Sequence, residues 1–146
     1  MSIFGNPDAK PSLDPLGDDR QAFRKMGAAA SKLYFQKHDL NKAMKLIEEF
    51  TQKTAKRYTD WHPDVGRASL LLAVISASRA DYEPAIMLSN SAAKVLESRG
   101  TIDPDYTAAE FLHRELLRIK AGNRPKSEPP VISHETPAGA FFLDLV

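Results

Sequence analysis

The 146-residue sequence contains no cysteine, which removes disulfides, thiolate zinc sites, iron–sulfur clusters and a cysteine nucleophile from consideration. Neither sign of charge dominates. Twenty Lys and Arg stand against nineteen Asp and Glu, a formal charge of +1, so the excess that would direct a chain to nucleic acid or an anionic membrane is missing. No stretch approaches the roughly 20 apolar residues that span a bilayer. The first residues, Met1 to Asp8, have neither the basic nor the apolar region of a secretory leader. These absences lead us to expect a cytoplasmic protein that binds neither membrane nor nucleic acid. The seven glycines are isolated, so there is no phosphate-cradling loop, GxSxG elbow or dinucleotide fingerprint. His38, His62, His113 and His134 show no ligand spacing, and we expect no metal and no cofactor. His113 and Glu115 lie two apart and therefore on different helix faces. Without an acid–base pair, no catalytic residue is proposed and enzyme activity is not expected.

What the sequence does have is an internal repeat. Asp39, Ala43 and Leu46 recur as Asp81, Ala85 and Leu88, each 42 residues on, and His62-Pro63-Asp64-Val65 is followed 41 residues later by Asp103-Pro104-Asp105-Tyr106. A period in this range marks stacked helical pairs that share one core, an architecture that presents surface to a partner.

Apolar periodicity predicts five helices. The first runs from Asp19 to about Gln36, on Phe23, Met26, Ala30, Leu33 and Tyr34. A second runs from Leu40 to about Tyr58. The third begins at Val65 and is apolar at nearly every angle, as a central helix would be. The fourth runs from Tyr82 to Arg99-Gly100, with Pro84 in its first turn, and the fifth from Asp105 to Lys120. Residues 1–18, with Pro7, Pro11 and Pro15, read as a flexible leader. Residues 19–122 form the helical domain. Residues 123–146 read as a mostly irregular, Pro-rich tail ending in the apolar run Phe141-Phe142-Leu143-Asp144-Leu145-Val146.

His62-Pro63-Asp64-Val65, Leu72-Ala73, Asp81-Tyr82, Ala85, Leu88 and Ala92 resemble a tetratricopeptide repeat of the kinesin-light-chain type. The earlier unit, with Ser31, Tyr34, Leu40, Ala43 and Phe50, is similar but looser: Phe50 stands where the family has a small residue, and Ser76 in the later unit replaces its aromatic. The resemblance covers residues 20–120. It implies an all-α, short array of antiparallel helix pairs, two full repeats plus a capping helix. It also implies a partner-binding concave face lined by Lys25, Lys32, Phe35 and Gln36 in the first unit and by Arg67, Leu70, Val74 and Ser78 in the second, which Arg114 and Arg118 extend. The lysine and asparagine pattern that resembles a carboxylate clamp is missing.

Two and a half units fall short of the three or so that make such a stack self-sufficient. Something must cover the open end. Either Phe141, Phe142, Leu143, Leu145 and Val146 fold back over the fifth helix in place of a sixth, or two chains associate through those surfaces as a homodimer. Asp144-Leu145-Val146 as a free linear motif is a third possibility. Trp61, in a loop between units, is expected to plug their junction. The functional expectation is an adaptor that holds a peptide or helix of a larger protein in the groove. The alternative is a structural subunit that assembles through its fifth helix and tail.

Overall fold

A computed structural model describes residues 20–145, which form six α-helices and no strand. The leader and Val146 lie outside the described residues. The helices are α1 (Gln21–Ser31), α2 (Leu40–Arg57), α3 (Pro63–Ser78), α4 (Tyr82–Leu96), α5 (Pro104–Lys120) and α6 (Pro137–Leu143). The count is six rather than five, because the stretch read as irregular closes on a short helix.

Local chemistry sets most of the boundaries. Asp39 caps α2 by accepting the Lys42 N–H, and Asp103 caps α5 by accepting from the N–H groups of Asp105 and Tyr106. His62 caps α3 through Nδ1, which accepts the Asp64 N–H at 3.0 Å. Pro63, Pro104 and Pro137 each occupy the first helical turn, where a missing N–H costs little. The turn between α1 and α2 and that between α3 and α4 share an uncommon feature. His38 and Ala80, 42 residues apart, both have left-handed backbone, with φ of 55° and 61°. The sequence repeat is therefore also a repeat of backbone conformation.

The first helix is not uniform to Gln36. After Ser31 the backbone passes into a π-helical turn, Lys32–Gln36, in which the Lys37 N–H bonds the Lys32 carbonyl at 3.1 Å. Such turns are rare and frequently lie at functional places.

Packing follows the apolar pattern. α3 touches every other helix, as its all-round apolar surface predicts. α4 packs against it and buries the small residues Ala85, Ser89 and Ala92. The approach is close, since a Cβ on Gly66 of α3 would come within 2.9 Å of the Leu96 side chain. One apolar cluster joins Phe23, Ile47, Leu70, Leu71, Val74, Leu112 and Leu116 to Val131, Ala138, Phe141 and Leu145. The C-terminal segment thus belongs to the core of the helical domain.

Candidate interaction surface

The C-terminal segment crosses the array from α5 to α1, held at both ends by ion pairs and between them by apolar contacts. At its start Arg124 binds Glu115 at 2.8 Å, and Glu128 binds Arg118 at 2.8 Å. Glu115 is buried. Burial pushes its carboxyl up, but hydrogen bonds from Arg124 and Arg118 outweigh this and hold it below the usual carboxylate value. Thr136 then caps α6, accepting the Gly139 N–H and donating to the Val131 carbonyl. Gly139 lies so close to Ser133 that a side chain there would collide with the Ser133 carbonyl. Phe141 stacks on Phe23 of α1, with ring centroids 5.8 Å apart. Leu145 lies against Gly27, where a Cβ would meet its side chain at 3.1 Å. Asp144 ends the crossing, 3.4 Å from Arg24 and 3.6 Å from Arg20.

Of the tail residues expected to dock, Phe141 and Leu145 are buried, Phe142 is half-buried and Leu143 is exposed. Within this chain the segment lies on its own α1, α3 and α5.

The partner-binding residues expected on one concave face divide into two groups. Lys25, Lys32, Phe35, Gln36 and Ser78 are exposed. Arg67, Leu70 and Val74 are buried and line no groove. Arg67, with 1% of its surface accessible, is not a solvated cation. It donates to Asp64 at 2.6 Å and to Asp105 at 2.7 Å. Burial lowers its pKa, but these two carboxylates outweigh burial and leave it above the ordinary arginine value. Asp105, in the first turn of α5, also takes Arg20 at 3.3 Å. An alternating chain of charge, Asp64–Arg67–Asp105–Arg20–Asp144, therefore links α3, α5, the start of α1 and the tail. Its one sequence signal is the duplicated Pro-Asp of Pro63-Asp64 and Pro104-Asp105, whose two carboxylates meet on Arg67.

No protein-family model, curated protein or solved structure matches this chain. Its geometry is therefore its own reference. Trp61 does not plug a junction: it is 63% exposed, while the neighbouring His62 is buried and stacks on Tyr58. Among the described residues no three His, Asp or Glu side chains converge as metal ligands would. Nor, among the described residues, is any helix long and apolar enough to cross a membrane.

The exposed residues that do come together lie at the π-turn. Phe35, 40% exposed, packs on Tyr34 at 4.4 Å and on Phe142 of α6 at 4.9 Å between ring centroids. Leu143, next along α6, is 38% exposed. Tyr34 reaches α3 through its hydroxyl, 3.3 Å from Ser78 Oγ. Beside them Tyr34, Phe35, His38, Leu40, Ser78 and Arg79 line a hollow of about 370 Å³. Phe35 and Ser78 belonged to the expected surface, and Lys32 and Gln36 share their turn with Phe35. Phe142 and Leu143 were expected to be covered, and sequence reasoning missed their place here, because only the folded tail brings α6 to the π-turn.

Proposed function

We propose that this chain is a non-enzymatic protein–protein interaction module, a tetratricopeptide-like adaptor that holds a peptide or helix of a larger partner. The observation that carries the reading is the packing of exposed Phe35 on Phe142 of α6, beside an open hollow. A chain of this size leaves some apolar surface in water as a matter of course. A cluster drawn from opposite ends of the sequence and set beside a concavity is the usual mark of a recognition surface. The reading that makes the chain an assembly subunit relied on an apolar tail in need of a cover. Phe141 and Leu145 are already buried in their own chain, which weakens that need.

Site-specific photo-crosslinking in the native cell tests the reading. A crosslinker at Phe35 is expected to give a discrete adduct with another protein, and one at Gln52, exposed on α2, none. Absence of any adduct from either position overturns the adaptor reading, and an adduct with a second copy of the chain replaces it with assembly.

A further inference from the structure

We infer that the π-turn and the end of α6 form one docking surface for an acidic peptide with apolar anchors, and that this surface exists only while the C-terminal segment is seated. The inference rests on the interaction reading above and names the place and the chemistry of the partner.

The first support is charge. Residues 20–38 contain five Lys or Arg and no Asp or Glu. Arg20 and Arg24 are engaged by Asp144. Lys25, Lys32 and Lys37 are exposed and have no carboxylate in ion-pair range among the described residues. Asp39, next to the turn, caps α2 and pairs with Lys42, and Asp81 pairs with Arg79. Lys32 and Lys37 bracket the turn that carries Phe35, and His38 and Arg79 line its hollow. A partner with carboxylates meets uncompensated cations here, which favours its encounter and orients it.

The second support is shape. Phe35 is only about two-fifths exposed and packs on the half-buried Phe142. These side chains form a floor rather than a protrusion, and the hollow beside them is open to an entering side chain. A protruding aromatic would suit insertion into a lipid surface. A recessed floor with a basic border suits a peptide whose apolar residues lie one turn apart. The net charge of +1 offers no broad positive field for a nucleic acid.

The third support is that the surface is composite. Phe35 comes from the π-turn and Phe142 from α6, so undocking the tail removes half of the floor. The partner is therefore read only by the closed chain.

The test uses the full chain and a short fluorescent peptide with a Phe and a Leu one helical turn apart among glutamates, followed by anisotropy. The peptide is expected to bind, more weakly in added salt. Its affinity should fall roughly tenfold or more with Lys32→Glu plus Lys37→Glu and with Phe35→Ser. All three positions are exposed, and an unchanged thermal transition will show that these variants fold. Lys56→Glu, on the exposed side of α2, should leave binding intact. Binding that neither change weakens would overturn the site while leaving the adaptor reading in place. Failure of the glutamate peptide to bind, preference for its lysine counterpart, or variant-sensitive binding of phosphatidylserine vesicles or duplex DNA instead would overturn the assignment of partner chemistry.

Discussion

Arg67 shows how one side chain changes role between sequence and structure. On the line it is a cation in a helix, and the family pattern assigns it to a groove. In the fold it is the largest fully buried side chain and is held by two carboxylates. Removing the centre of such a set breaks two buried ion pairs, at a cost of about 3–5 kcal/mol. Arg67→Met is therefore expected to lower the urea midpoint sharply, whereas Lys32→Met on the surface should change stability by less than about 0.5 kcal/mol. The arginine's raised pKa makes no contribution to pH dependence near neutrality. Stability from a raised pKa is complete below the unfolded value and is lost only as pH rises through the folded one. Glu115 has the opposite sign. Its folded pKa is lowered, so its contribution is complete above the unfolded value and is lost as pH falls through the folded one. The unfolding midpoint should hold down to about pH 5 and then drop, and Glu115→Gln should make that drop shallower. An equally steep drop in the variant would remove Glu115 from the account. Neither role was legible locally, because Asp105 lies 38 residues from Arg67 and Arg124 lies nine from Glu115.

Among the elements, the long helices were legible and the short ones were not. α2, α3, α4 and α5 each run 15 residues or more, long enough for a three-to-four spacing to repeat and for caps to stand out. α6 has seven residues, including Pro137 and Gly139. A helix so short is not stable alone and exists because α1, α3 and α5 receive its apolar side. The π-turn was hidden for a related reason: Lys32–Gln36 has ordinary helix-forming residues, and the wider turn is imposed by what surrounds it. Substitutions along α6 should separate docking from display. Phe141→Ala removes a ring stacked on Phe23 and should cost about 3–5 kcal/mol, whereas Leu143→Ala should cost about 0.5 kcal/mol or less. Gly139→Ala, which forces a methyl group onto the Ser133 carbonyl, should destabilise by about 1–3 kcal/mol. Chemical denaturation of the three variants checks the order. Equal losses at Phe141 and Leu143 would contradict the docked arrangement.

At the scale of the molecule, the C-terminal segment packs its apolar side into the same core as the long helices. The full chain is expected to scatter light as a monomer at micromolar concentration, since its apolar tail is internal. Deleting residues 126–146 uncovers Phe23, Gly27 and the core side of α5. The deleted chain should unfold at lower denaturant and self-associate, because an uncovered apolar face of this kind drives aggregation. A truncated chain as stable and as monomeric as the full one would mean that the segment closes nothing. The sequence by itself determined the all-helical class, the positions of the four long helices, the central place of α3 and the 42-residue recurrence. Those properties follow from local periodicity, capping and composition, which act within a few turns of chain. Only the tertiary structure decided that Arg67 is a buried centre, that a sixth helix exists and packs on α5 with Phe141 against Phe23 of α1, and that Phe35 meets Phe142. Each of these depends on groups far apart in sequence, whose encounter is set by which apolar faces remain open after the long helices have packed.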